Sequence, residues 1–438
     1  MRSESPWHVA DFRALFTASV LSNLGTNVGY VAVPLVAVSS LDAGPGEVGA
    51  LATLSTVAFL LIGLPAGAWV DRMRQRRVLI AADLARALLF ASVPLAWWLD
   101  VLTLGHLYAV VFLNGCATVF FDVTSQSVLP RLVGRERLVA ANSAMVGLQA
   151  AGNVAGRGAG GALVEWLTAP FALVWTALSH LGSAVRLAGV RHGSCPGPTA
   201  GKAGGGLGAQ IAEGLRHVLG NRELRALALS ATLVNFGLQI VNTMLPVLFV
   251  RELGLSAGVL GAFWAVGGVG VLLGSRCAGW FATRLGYGRS LAVVGLVLAP
   301  AGLLVPLIGR GGWLWVAGAG WLLTMFKIGT NNVVAVSLRQ RMTPDALLGR
   351  MNATFRFLLT GALAVGAAAS GLLGELAGLR AALWAGGVLI AASFVPVLLS
   401  PVRTRRELPA EGPGVVTRSQ ERPASGPGSR GPDEALPR

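Results

Sequence analysis

The sequence predicts an all-α integral membrane protein, with twelve transmembrane helices in two pseudo-symmetric six-helix bundles. Three observations predict it. Of 438 residues, 54% are hydrophobic and 13% charged, whereas soluble domains carry about 25% charged residues. The apolar residues run in unbroken blocks such as Val48 to Val70, Val78 to Trp98 and Ala381 to Leu399, each near the ~20 residues that carry a helix across a bilayer. Residues of the second half also echo those of the first at a nearly constant offset.

Twelve apolar segments are read in order, roughly 12–39, 47–70, 78–98, 103–123, 140–167, 170–190, 223–249, 256–281, 290–309, 313–337, 349–374 and 380–400. They define an N-terminal bundle (1–190), a linker (191–222), a C-terminal bundle (223–400) and a tail (401–438). An even number of spans puts both termini on one side. Most of the 35 basic residues crowd into the termini and the even-numbered loops, while the odd-numbered loops carry only Arg251, Arg310 and Arg380. That asymmetry places both termini in the cytoplasm of a protein of the cell membrane. The net charge of +15 therefore faces anionic lipid headgroups rather than a nucleic acid.

Between spans six and seven, Gly193 to Gly208 is dominated by small residues. Leu207, Ile211, Leu215, Val218 and Leu219 then recur at helical spacing, which marks either an amphipathic helix on the inner membrane surface or a solvated linker helix. The tail, rich in Pro, Gly, Ser, Arg and Glu, is predicted to be disordered. Cys116, Cys195 and Cys277 stand alone, without metal-ligand or disulfide spacing. No removable leader is read ahead of the first span.

The internal repeat places Asn23 on Asn235, Asn27 on Gln239 and Gly67–Arg72 on Gly279–Arg284 at an offset of 212, and Asn142 on Asn352 and Glu165 on Glu375 at 210. Several coincidences at nearly one offset indicate a duplicated six-plus-six architecture.

The loop after span two reads Gly63-Leu-Pro-Ala-Gly67-Ala-Trp-Val-Asp71-Arg72-Met-Arg74-Gln75-Arg76-Arg77. Gly67 permits close helix approach, Asp71 suits a neighbouring helix N-terminus, and the arginines suit pairing across the bundle. A charged cluster that forms in one conformation and breaks in another is a latch. The segment resembles the Gly-x-x-x-Asp-Arg signature of the major facilitator superfamily. Asp83-Leu-Ala-Arg86, Leu129-Pro130-Arg131-Leu132-Val133, Leu138-Val-Ala-Ala-Asn142 and Thr343-Pro344-Asp345 with Gly349-Arg350 resemble its enterobactin-exporter and macrolide-efflux branch. Two positions depart from that pattern: Gln75 stands where the branch usually has Arg, and Arg157 stands where exporters often carry a span-five proline.

Two nucleotide-like patterns are set aside. Gly156-x-Gly158-x-x-Gly161 lies inside a span, where close helix packing explains it, rather than between a strand and a helix. Gly197-Pro-Thr-Ala-Gly201-Lys202-Ala203 lacks both the first glycine and the magnesium-binding hydroxyl of a phosphate loop. No cofactor is therefore expected, and energy would come from a proton gradient or from the substrate's own gradient.

Charge in the bilayer core costs at least ~2.5–3.5 kcal/mol and marks function by default. Asn23 and Asn27 share one face of span one, and Asn235, Gln239 and Asn242 share one face of span seven. Lys327, Asn331 and Asn332 do so on span ten, with Asn114 on span four. The resemblance implies that spans one, four, seven and ten line a central cavity. The amides either contact substrate or hydrogen-bond between helices. Arg157, Lys327 and Arg356 lie deep in spans five, ten and eleven with no carboxylate at equal depth, which points to an anionic or electron-rich substrate, unless Arg157 or Arg356 only braces the bundle. Gly67, Asp71, Arg72, Arg76, Arg77, Asp83, Arg86 and Asp122 are assigned to the cytoplasmic latch. His180, Glu165 and Glu375 remain as titratable candidates.

The combined expectation is a non-enzymatic, monomeric secondary transporter working by alternating access. It would export a drug, antibiotic or siderophore-like metabolite in exchange for protons. The alternatives are an importer or facilitator of an organic anion, and a scaffold or sensor that does not transport.

Overall fold

The computed structural model describes residues 5–70, 73–189 and 207–405, and every regular element among them is helical. Span one is Ala10–Ser40, span two Pro45–Val70 and span three Gln75–Trp98. Spans four and five form one helical run, Leu104–Leu167, broken at Gly134, where φ is 74° and ψ 167°. The loop expected at 124–139 thus shrinks to one residue. Glycine alone adopts that backbone geometry cheaply, so Leu129–Val133 stays helical up to the turn. Span six is Ala169–Ala188, and the linker helix is Leu207–Gly220.

Span seven, Arg222–Val247, runs on into a π turn, Leu248–Glu252. Span eight is Ala257–Leu285. Span nine, Tyr287–Leu298, tightens to a 3₁₀ helix over Ala299–Leu307, where Pro300 and Pro306 each remove a backbone donor. Spans ten, eleven and twelve are Gly312–Arg341, Asp345–Leu376 and Leu379–Ala392. Among the described residues, ten helices are long and apolar enough to cross a membrane by length and composition alone. Spans five and ten, which carry Arg157 and Lys327, complete the twelve.

The repeat recurs in the backbone. Thr168 and Gly378, 210 residues apart, each form a one-residue turn into span six or span twelve, with φ/ψ of 72°/160° and 88°/160°. Ser5, the linker helix and Arg405 lie on one side of the bundle, here called the terminal face; the other is the far face.

The two bundles meet along spans two and eleven and along spans five and eight. Near the far face the backbones touch. A Cβ on Gly49 would lie 2.4 Å from Gly371 Cα, and one on Gly161 would lie 2.7 Å from Gly261 Cα. Nearer the terminal face on two of these helices, Gly147 and Gly361 have nothing within 4 Å of such a Cβ. The space between the bundles is therefore shut at the far face and open toward the terminal face.

Two elements brace the terminal face. The linker helix lies against span eleven, with Glu213 paired to Arg350 and Gly214 against the Arg350 carbonyl. It buries Val218 and leaves Leu215 and Leu219 exposed. Residues 401–405 form a strap: the N–H groups of Gly288 and Arg289 donate to the Arg405 carbonyl at 3.0 and 3.4 Å, and Arg405 Nε donates to Glu223 Oε2 at 2.8 Å. Cys195, the rest of the linker and the tail beyond Arg405 lie outside the described residues.

Candidate functional site

Four residues from four helices meet between the bundles. The Arg157 guanidinium of span five lies 4.3 Å from the centroid of the Tyr30 ring of span one. Tyr30 packs at 62° to Trp264 of span eight, with ring centroids 5.4 Å apart. Trp264 Nε1 donates to Asn242 Oδ1 of span seven at 2.9 Å. Tyr30 comes to this place because it follows Asn23 and Asn27 at helical spacing, on one face of span one.

Three cavities join at these residues. The chamber toward the far face, about 180 Å³, is mainly apolar, with Val33, Leu51, Phe90 and Val111 beside Asn114, Gln239 and Asn242. The chamber toward the terminal face, about 280 Å³, is polar, with Asn23, Asn27, Arg86, Asp122, Gln149 and Arg157 in its wall. A side pocket of about 190 Å³ runs past Arg157 and Asn153 to Trp321 and Met325. Tyr30 borders the first two chambers, Arg157 the second and third, and Trp264 the first and third.

The amides are partly committed to their own helices. Asn27 Nδ2 donates to the Asn23 carbonyl at 2.9 Å, Asn242 Nδ2 to the Leu238 carbonyl at 2.9 Å, and Gln239 Nε2 to Thr243 Oγ1 at 3.2 Å. Asn242 Oδ1 is itself taken up by the Trp264 indole N–H. Asn114 Oδ1 and Arg157 Nε have no hydrogen-bond partner among the described residues. The wall therefore carries amide side chains at the far end and a guanidinium at the centre.

Several sequence-predicted residues lie elsewhere. Lys327 is fully buried and donates from Nζ to Ser393 Oγ at the C-terminal end of span twelve. It points into the C-terminal bundle and not toward the cavity, because on a helix packed on several sides a polar face need not be the cavity face. Asn235 turns its amide onto the Ala231 carbonyl at 2.8 Å, outside the three cavities. Asn331 also lies outside them, its Oδ1 buried without a partner among the described residues. Arg356 lies 4.6 Å from the centroid of the Phe59 ring, bridging spans eleven and two.

The latch assignment divides in the same way. Asp71 and Arg72 lie outside the described residues, and Gly67 sits in the last turn of span two. Arg76 donates to the Leu187 carbonyl at 3.4 Å and to the Ala188 carbonyl, closing the C-terminal end of span six. Arg77 is exposed in the first turn of span three. Asp83 and Arg86 do not join the loop arginines. They pair with each other in the core of the N-terminal bundle, where Ser183 Oγ donates to Asp83 Oδ2 at 2.5 Å and Arg86 donates to Ser22 Oγ at 3.0 Å. His180 Nδ1 lies 3.6 Å from Asp83 Oδ1, and its ring stacks on Phe90. The cause is position: two turns into span three, Asp83 faces spans one and six. Asp122 lines the polar chamber, so the cavity does hold a carboxylate beside its arginines.

Sequence reasoning missed Tyr30, Trp264 and Phe90. In a chain this apolar, an aromatic residue on the cavity looks like one facing lipid, and only the register of Tyr30 with Asn23 and Asn27 marks it.

Fold and site together define a polytopic membrane protein whose two related helical bundles enclose a polar cavity that is shut at one end. A family model described as Major Facilitator Superfamily matches residues 15–337 and 227–426, and the chain belongs to that superfamily. It is 25% identical over 413 residues to the enterobactin exporter EntS of Escherichia coli, covering 91% of this chain and 94% of that protein. It is 28% identical over 387 residues to the multidrug efflux pump Tap of Mycolicibacterium fortuitum, covering 83% and 89%. Among solved structures it resembles a bacterial homologue of the iron transporter ferroportin in an inward-facing state, with a TM-score of 0.72 at 18% identity over 90% of this chain and 99% of that one. It also resembles the nucleoside transporter NupG, with a TM-score of 0.71 at 12% identity over 89% and 99%.

Proposed function

We propose that this protein is a proton-coupled secondary transporter that exports a small amphipathic organic molecule by alternating access. The observation that carries the reading is the junction of Arg157, Tyr30, Trp264 and Asn242, which sits between two bundles that touch at one face and part at the other. Bundles of this kind move against each other around a central site. The distribution of basic residues favours a cytoplasmic terminal face, and a cavity open on that side would take its substrate from inside the cell.

The chamber walls suggest the substrate class. An apolar or aromatic body suits the far chamber, and a polar group on it suits the amides of Asn114 and Gln239 in its wall. An electron-rich or anionic group suits Arg157. With Asp122 in the same wall, the cavity need not be uniformly cationic, and Asp122 is the acid best placed to exchange a proton as the substrate leaves. The two named relatives, a siderophore exporter and a multidrug pump, favour export over import.

The test uses inverted membrane vesicles with an acid interior and a fluorescent probe of the gradient, with candidate compounds added in turn. One compound should dissipate the gradient in the wild type, but not in Asp122→Asn or in Asp71→Asn of the signature loop. Arg157→Ala should raise the concentration needed by about tenfold, near the ~1–2 kcal/mol of a partly desolvated cation–π contact. Silence across a broad anionic and cationic panel, from protein shown to be folded and inserted, would overturn the reading.

A further inference from the structure

We infer that Glu165 and Glu375 are the gate-holding residues of the transport cycle, each reaching across the bundle interface to cap a helix of the other bundle and so keep the far face shut. The inference rests on the transport reading above. Glu165, at the end of span five, accepts the N–H of Gly258 at 3.1 Å through Oε2. Glu375, at the end of span eleven, accepts the N–H of Gly46 at 3.3 Å through Oε2. Gly258 is the second residue of span eight and Gly46 the second residue of span two. Both N–H groups are among the first four of a helix, which have no partner within it. A carboxylate there gains a charge-assisted hydrogen bond and the favourable field of the helix terminus.

Each part of one clasp has a counterpart in the other. Glu165 and Glu375 are 210 residues apart, and Gly46 and Gly258 are 212 apart. Beneath them the close glycine contacts obey the same offsets, Gly161 with Gly371 at 210 and Gly49 with Gly261 at 212. One clasp closes the edge formed by spans five and eight, and the other closes the edge formed by spans two and eleven. Opening the far face separates both glycine contacts and uncaps both helices together. Asp42 and Arg251 also pair across this face, but Asp42 is 96% exposed, and such pairs contribute little.

The test reads conformation directly. In a variant with Cys116, Cys195 and Cys277 changed to Ser, spin labels at Val101 and Trp313 would report the distance across the far face in lipid nanodiscs. The double variant Glu165→Ala with Glu375→Ala should raise the ratio of open to closed far face by about 3- to 30-fold, the sum of two carboxylate–helix terminus interactions. The corresponding Gln pair should shift it less, because an amide oxygen still accepts. Gly161→Leu serves as a wedge that opens the interface whatever the carboxylates do.

A wedge that opens the face while the Ala pair leaves it shut would overturn the gate-holding role and leave the transport reading standing. Failure of both to change the distance would mean that the bundles do not move, and would overturn the two together. Opening by the Ala pair, with monodisperse protein, establishes the clasp.

Discussion

Trp264 is tied to its own bundle by a hydrogen bond and to the other bundle by a ring contact. Its Nε1 donates to Asn242 Oδ1 at 2.9 Å, while its indole meets the Tyr30 ring at 5.4 Å. A movement between bundles breaks the second contact and leaves the first. Trp264→Phe keeps the ring and removes the donor, leaving Asn242 Oδ1 unpaired in a partly buried wall at a cost of about 1 kcal/mol. Transport should show a KM raised about fivefold with kcat little changed. Asn242→Ala in the Trp264→Phe background should add little, as expected for two residues sharing one interaction. Full additivity in KM would show that the pair does not act as a unit.

The twelve spans, the duplication and the cavity-lining amides Asn23, Asn27, Gln239 and Asn242, though not Asn235, were legible in the sequence, because hydrophobic run length and register are local properties. Which face of a buried helix meets the cavity is not local. Lys327 and Arg157 look alike as isolated basic residues in apolar spans, yet Lys327 faces span twelve and Arg157 faces Tyr30. Asp83 and Asp122 look alike as carboxylates in the inner halves of spans. One is fully buried against spans one and six, and the other lines the chamber.

Lys327 offers a test of that distinction. A buried cation whose neighbour is a hydroxyl contributes little stability compared with an apolar side chain of similar volume. Lys327→Met should therefore keep or raise the melting temperature and leave transport intact. Ser393→Ala should remove the acceptor and lower stability by about 1–3 kcal/mol. Combining the two should return stability to the level of Lys327→Met alone, measured by thermal unfolding in detergent. Loss of transport in well-folded Lys327→Met would place Lys327 back in the transport machinery.

Thr168 carries strain that its repeat partner avoids. At φ 72° and ψ 160° a β-branched residue occupies a region that glycine alone enters freely, at a cost of order 1–3 kcal/mol. Gly378 adopts nearly the same angles in the other half. Thr168→Gly should raise the melting temperature and Gly378→Thr should lower it, with transport unchanged in the first. A lower melting temperature for Thr168→Gly would mean that the threonine side chain contributes more than the backbone loses.

The strap sets where the chain can be shortened. Arg405 closes onto span nine through its carbonyl and onto span seven through Glu223, which accepts from Nε at 3.0 and 2.8 Å through its two oxygens. The composition of the tail puts its start at residue 401, but residues 401–405 form this contact, so a truncation at that boundary cuts into it. Ending the chain after Arg405 should leave thermal stability and transport near wild type, whereas ending it after Ser400 should lower stability by freeing both helix ends. Gly288→Ala should mimic the second truncation, because its Cβ would lie 1.8 Å from the Val402 carbonyl oxygen and would force the strap away. Equal melting temperatures for the two truncations would show that the strap follows the bundle rather than bracing it.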